Sequence, residues 1–291
     1  MKEVLRQLYR LVPLKKQLFM AMRLFWVPSE RVYKHLYFRG PFRVRIDRNH
    51  SFYLRHYGYQ IENEVFWAGL EGAWEKKSLA LWIDLCRGAK VIFDIGANTG
   101  LYGLVARSVN PDARVYALEP VKRVCEKLRE NNVLNDYDIV CIEKAASNSN
   151  GPAIIYDTKT DHVLSVTVGK NLNPDAEVVP TTIETIRLET LIRDLQISRV
   201  DLIKVDVETH EPEVLEGFGA HLDEYRPAML IEILSDEVGG KVEALVADKG
   251  YLYFNIDDRS GLVTQQQHIR KSDYYNYLLC NNATARKLKL I

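Results

Sequence analysis

Apolar and polar positions along this chain follow two different periods. The switching between them predicts its organisation. From residue 90 onward, short apolar runs of strand length (VIFDI, RVYAL, DIVCIEKAA, DLIKVDV, AMLIEIL, YLYFNI, YNYLLCN) are separated by stretches with helical spacing (LYGLVARSV, a charged segment reaching Asn132, PEVLEGFGAHL, KVEALVADKG). Strands alternating with helices predict right-handed βαβ units and a doubly wound α/β sheet covered on both faces. Residues 150–183 break the rhythm with Tyr156-Asp157, Val163 to Val168 and a Pro/Asn-rich loop. They predict an inserted β element, with a helix over 188–195 behind it.

The first 90 residues read differently. Val4, Leu5, Leu8, Leu11 and Val12 recur at helical spacing, Pro13 interrupts, and a second apolar run flanked by Lys and Arg covers 14–26. Residues 41–54 alternate apolar and polar, which predicts a hairpin around 47–49. Phe66, Leu70, Trp74 and Leu81 predict a helix over 62–87, ended by Gly88. The expected division is an N-terminal helical and β-hairpin extension (1–75) and a catalytic domain (76–291).

Charge sharpens that division. The chain is neutral overall, yet residues 1–50 hold 12 Lys/Arg against 3 Asp/Glu, a local charge of +9. Fifteen of the 29 aromatic residues fall in the first 80 positions. A basic, aromatic arm can pack on its own body, lie on an anionic membrane surface, or grip a sugar or nucleic acid. Lys15, Lys16 and Arg23 interrupt the apolar runs, and no stretch has the length of a membrane span, so neither a signal peptide nor a transmembrane helix is expected. Four scattered cysteines (Cys86, Cys125, Cys141, Cys280) with no C-x-x-C pair point to reduced thiols and a cytoplasmic protein, peripheral to the inner face of the membrane if the arm binds it.

The first strand runs into Asp94-Ile95-Gly96-Ala97-Asn98-Thr99-Gly100 and then a helix. Open α/β sheets bind ligands beyond the carboxyl ends of their strands, and glycine there lets backbone and ligand approach closely. The pattern is D-x-G-x-N-x-G, not G-x-G-x-x-G. An acid in this turn repels a pyrophosphate and suits a cationic amino group. Glu119, ending the second strand, is placed to accept hydrogen bonds from a ribose diol. Asp94 toward an amino-acid portion and Glu119 toward a ribose together describe S-adenosyl-L-methionine better than NAD.

These blocks resemble the FkbM-type methyltransferases, a branch of the S-adenosylmethionine-dependent enzymes with a Rossmann-like sheet. VIFDIGANTG and VYALEP carry the likeness. It continues through LRENNVLN, Ala145-Ala146-Ser147 with Gly151, IRLETLI, IKVDVETHEPEVLEG and RPAMLIEI, over roughly residues 50–260. Thr209 departs from the family pattern, which has Gly there. The resemblance implies methyl transfer to a hydroxyl of a sugar, a glycan or a natural product. Asp94, Gly96, Asn98, Gly100, Glu119, Ala145 and Asp206 are then the expected cofactor-binding residues.

A second constellation closes the fourth strand. Asp206 and Glu208 share a face if the strand continues, and His210 sits in the turn before a helix that Pro212 is suited to start. A neutral imidazole is a good base near pH 7, so His210 is the expected proton acceptor, with Asp206 and Glu208 orienting it or holding the acceptor. Asp, Glu and His in one turn also suit a divalent ion; no metal is expected, because spacing alone is weak evidence. Glu232, inside AMLIEIL, is either a crevice residue or a structural acid. His162, beside Asp161 in the inserted segment, is given no catalytic role.

The competing readings are an NAD-dependent oxidoreductase, disfavoured by Asp94 and the glycine spacing, and a non-catalytic scaffold whose arm docks to a lipid surface or a partner protein. Nucleic acid is not an expected partner, because DVETH replaces the Asn-Pro-Pro-aromatic block that stacks a flipped base.

Overall fold

The computed structural model describes residues 13–72, 75–158, 167–169 and 178–291. The expected helix over 2–12, Trp74, Asp161 and His162, and most of Val163 to Val168 lie outside the described residues. Two compact units divide the chain, Met1–Trp74 and Glu75–Ile291.

In the first unit, helices at Lys15–Phe25 and Glu30–Tyr33 precede strands β1 (Gly40–Arg45) and β2 (Ser51–His56) and a helix at Gln60–Ala68. The expected hairpin is present. β1 and β2 pair antiparallel from Gly40↔His56 to Arg45↔Ser51. Asp47 closes the turn by accepting the backbone N–H groups of Asn49 and His50, both at 2.8 Å. Aromatic side chains fill the interior. Phe38 and Phe66 meet edge to face with ring centroids 4.7 Å apart, and Phe66 meets Trp67 at 5.1 Å. His56 is sealed among them. Burial pushes its imidazole down to about 4, so it is a neutral core residue.

The second unit carries strands β3 (Val91–Ile95), β4 (Arg114–Leu118), β5 (Val140–Ile142), β6 (Ala145–Ala146), β7 (Gly151–Thr158), β8 (Val178–Ile186), β9 (Leu202–Val205), β10 (Ala228–Glu232), β11 (Leu252–Ile256), β12 (Val263–Gln266) and β13 (Asn276–Cys280). Eight of them form one sheet in the order β12-β11-β13-β10-β9-β3-β4-β5. The chain starts at β3, steps outward to β4 and β5, then returns to the other side of β3 at β9. That reversal is the topological switch point where open α/β sheets bind ligands. β3 and β9 run parallel there, with Asp94 opposite Lys204 and Ile95 opposite Val205. β3 and β9 are buried along their whole length, as strands covered on both faces must be.

Three details depart from the sequence reading and one agrees with it. The helix expected over 62–87 is two helices, Gln60–Ala68 and Lys76–Cys86, because Gly69 takes φ 71° and stops the first. The run DIVCIEKAA splits: β5 stays in the main sheet, while β6 joins β8 and β7 in a separate three-stranded sheet. The expected inserted β element is present as the β7–β8 antiparallel pair, in register from Gly151↔Thr185 to Thr158↔Val178. The last strand, β13, enters antiparallel between β10 and β11, and the short polar strand β12 extends the edge.

Candidate active site

The turn after β3 is held from three sides. Gly96 and Ala97 both donate backbone N–H to Leu118 O, at 3.0 and 2.9 Å, which ties the turn to the tip of β4. Asn98 takes φ 49° and donates its N–H to Glu119 Oε2 at 3.0 Å. Glu119 Oε1 accepts Val121 N–H at 2.9 Å. The Glu119 carboxylate thus fixes the glycine turn and the start of the next helix together. Each of its oxygens keeps a second lone pair for an outside donor. Burial pushes its carboxyl up to about 7. Gly100 takes φ 92°, and a β-carbon there would meet Leu128 Cδ1 at 2.3 Å, so the turn packs without room for a side chain.

Asp94 stands behind the turn rather than in it. It is 1% exposed, and its Oδ2 accepts the Gly103 N–H at 2.9 Å. Burial raises its carboxyl to about 6, against the opposing pull of Lys204. Ala145 lies on β6, packed with Val121, Val124, Ile155 and Ile183. It forms part of an apolar wall beyond Glu119.

Lys204 is the residue the sequence reading missed. It sits in a central strand, 3% exposed, and its Nζ donates to Asp206 Oδ2 at 2.7 Å. Burial works against its charge, but Asp206, Glu75 and Asp94 outweigh that and hold the ammonium above its ordinary value. The same ammonium lies 4.5 Å from the centre of the Tyr102 ring. Glu75, itself buried, accepts from the Tyr102 hydroxyl and from Asn276 Nδ2, both at 2.8 Å. One buried cation therefore organises three carboxylates from three parts of the unit. A lysine in an apolar run such as DLIKVDV was the available signal, since a buried lysine demands partners.

Beyond Asp206 the backbone turns through two consecutive left-handed residues, Glu208 at φ 55° and Thr209 at φ 78°. That geometry brings Glu208 back toward the strand tips. Carboxylate oxygens of Asp206, Glu208 and Glu232 lie within 4.8 Å of one another, all three half-buried. Burial, then the charges of Asp206 and Glu208, push the Glu232 carboxyl up to about 10, so this acid holds a proton at neutral pH. Glu232 is thus a crevice residue.

His210 does not join that cluster. Its Nε2 lies 2.9 Å from Ser147 Oγ and its Nδ1 3.5 Å from Glu213 Oε2. The catalytic constellation expected from the sequence, Asp206, Glu208 and His210, is not brought together: Glu232 joins Asp206 and Glu208, and the left-handed turn carries His210 toward the end of β6. Ser147 is 3% exposed, so the Ser147–His210–Glu213 line is not a reachable nucleophile; it fastens the turn to β6. Gly217 serves the same junction: a β-carbon there would lie 2.0 Å from Ser147 O.

A glycine turn at the switch point, a carboxylate at the second strand tip and an acidic crevice at the fourth define a nucleoside-binding methyltransferase. The Methyltransferase FkbM domain matches residues 94–253. The chain belongs to that family and is an S-adenosylmethionine-dependent methyltransferase. It is 28% identical over 188 residues to Methyltransferase sdnD of Sordaria araneosa, covering 55% of this chain and 73% of that protein. It is 27% identical over 159 residues to Hexuronic acid methyltransferase AglP of Haloferax volcanii, covering 53% of this chain and 60% of that one. To 31-O-demethyl-FK506 methyltransferase FkbM of Streptomyces tacrolimicus it is 30% identical over 192 residues, covering 57% of this chain and 74% of that one. The residues present fit the cofactor chemically: each Glu119 oxygen has accepting capacity left for a ribose hydroxyl, and Asp206, Glu208 and Glu232 are half-buried acids at the neighbouring strand tips.

Proposed function

We propose that the chain methylates a hydroxyl oxygen of a sugar, glycan or natural-product acceptor. The observation that carries this reading is the Asp206–Glu208–Glu232 cluster at the tips of β9 and β10, within 4.8 Å. Crowded carboxylates accept hydrogen bonds from hydroxyl donors and favour a cation beside them. The names of two relatives support an oxygen acceptor: one acts on a hexuronic acid, the other on a 31-O position.

In this reading Gly96, Asn98, Gly100, Glu119, Ala145 and Asp206 cradle the cofactor, and Asp94 holds the turn from behind. Bound S-adenosylmethionine supplies an electrophilic methyl carbon. Glu119 receives the ribose hydroxyls. Asp206, fixed by Lys204, and Glu208 hold the acceptor hydroxyl. Glu208 takes its proton, in place of His210, whose Nε2 is already engaged by a buried hydroxyl. His210 is a positioning residue that locks the 206–210 turn. The protein's main contribution is proximity, aligning the nucleophilic oxygen with the methyl carbon.

Cys86, Cys125, Cys141 and Cys280 are all free thiols, which favours a reducing, cytoplasmic setting. Among the described residues, no helix is long and apolar enough to cross a membrane.

The test is incubation with labelled S-adenosylmethionine and panels of uronic acids, glycans and polyhydroxylated metabolites, read by mass spectrometry. Gain of one methyl on a hydroxyl supports the reading. Transfer only to nitrogen or to a carboxylate overturns it.

A further inference from the structure

Among its described residues, the N-terminal unit exposes an apolar surface. In the helix Lys15–Phe25, the inner face is seated: Phe19 is buried with its ring 5.3 Å from that of Trp67, and the Arg23 guanidinium lies 4.6 Å from the Phe66 ring. The outer face is also apolar. At 100° per residue, Leu18, Ala21 and Phe25 fall on one stripe, and all three face solvent, as does Leu14 just before the helix. Exposure rises toward the helix end, to 78% for Leu24 and 89% for Phe25, and continues through Trp26 and Val27. A contiguous apolar patch of this kind marks an interaction surface.

The charges around it select the partner. Residues 13–29 contain Lys15, Lys16 and Arg23 and no acid. Arg31, Lys34, Arg39, Arg45 and Arg48 follow, all exposed. A second copy docked on the same patch would bring two such basic segments together, which like-charge repulsion opposes. An anionic lipid surface satisfies both halves of the pattern: acyl chains take the apolar stripe and headgroups take the cations. Trp26, at the helix end, has the amphipathic ring favoured at that depth. Eleven residues of helix are too short to span a bilayer, so the geometry is one of lying in the interface.

We propose that the helix Lys15–Phe25 and the Trp26–Val27 turn form an interfacial anchor that holds this methyltransferase on anionic membranes. The test is flotation of the 291-residue chain with phosphatidylcholine vesicles and with vesicles doped with phosphatidylglycerol, followed through Trp emission. The expected result is binding to the doped vesicles, weakened by salt. Leu18→Glu with Phe25→Glu, both at exposed positions, should lower partitioning by about tenfold or more while S-adenosylhomocysteine affinity stays unchanged. Lys15→Glu with Lys16→Glu should lower it on doped vesicles alone. Absence of flotation, equal binding by the Leu18/Phe25 variant, or a dimer in solution that the same variant dissolves would each overturn the proposal. None of these outcomes bears on the methyl-transfer reading.

Discussion

A β-carbon on Gly96 would lie 1.8 Å from the carbonyl oxygen of Asp206. The DIGANTG turn and the KVDVETH turn, far apart in sequence, therefore rest backbone on backbone. This contact explains why glycine is needed at 96 before any ligand is considered: φ is 78°, and there is no volume for a methyl group. Gly96→Ala must push the two turns apart. The expected cost is roughly 2–4 kcal/mol of stability, with loss of S-adenosylhomocysteine binding, read by thermal unfolding and calorimetry. Unchanged affinity would mean that the turns move without consequence.

Thr209 supplies a prediction of the opposite sign. A β-branched residue at φ 78° pays a steric cost of roughly 1–2 kcal/mol that glycine avoids. Glycine's extra freedom in the unfolded chain returns about 1 kcal/mol of that. Thr209→Gly should therefore stabilise the protein by up to about 1 kcal/mol in denaturant titrations. A destabilised variant would show that the threonine hydroxyl has a use that outweighs the strain.

Some of this was legible in the sequence and some was not. The strand-tip turn, Glu119 and the order of strands and helices announced themselves through local pattern, because strand tips, left-handed glycines and amphipathic helices are local physics. The misfit of Thr209 could be felt as a departure from the family pattern, though not its φ. Lys204 with Glu75 could not be paired from sequence, since charge neutralisation in a core is decided by tertiary packing. His210 was read as a base from its residue type. Its direction depends on two successive left-handed residues that no propensity predicts. The split of DIVCIEKAA into two sheets follows the polar Glu143-Lys144 pair, a break that the sequence itself carries.

Lys204 is expected to be a keystone of stability. Replacing it by methionine keeps the volume and leaves Asp206, Glu75 and Asp94 without their shared cation. Removing one partner of a buried ionic group costs about 3–5 kcal/mol. The loss should shrink as pH falls through about 6, because Asp94 then takes up a proton and no longer repels its neighbours. A pH-independent loss would assign the lysine a packing role alone.

The unmodified protein should also respond to pH. Asp94 and Glu119 hold their protons up to about 6 and about 7, and Glu211 and Glu232 to about 8 and about 10. Burial is the leading cause in each. All four are raised above their unfolded values, so between the two the folded state binds more protons. Their contribution is complete below pH ~4 and is lost as pH rises through the folded values. Asp201, Glu189 and Glu243 are shifted down and act oppositely, but only at acid pH near and below their ordinary values. His56, held down to about 4 by burial, also acts oppositely up to its ordinary value of about 6.5, so the melting temperature of the ligand-free protein should decline from pH 6.5 to pH 9. S-adenosylmethionine, a cation placed beside these carboxylates, should flatten the decline. A midpoint that climbs over this range would contradict the assignment.

The division of labour between Glu208 and His210 is open to a direct comparison. If Glu208 takes the acceptor proton, Glu208→Gln keeps the shape of the turn, removes the base and lowers kcat by roughly 10²–10⁴. Affinity for S-adenosylhomocysteine should hold, because the cofactor turn is tied to Glu119 and Leu118 and not to Glu208. His210 acts through geometry. Its Nε2 contact with Ser147 pins the turn that carries Glu208. His210→Gln should cost about tenfold, shown mainly as a higher KM for the acceptor, and Ser147→Ala should reproduce that effect. The pH profile of kcat should keep its shape in both positioning variants. A profile that loses its acidic limb in His210→Gln, with Glu208→Gln still active, would return the proton to the imidazole.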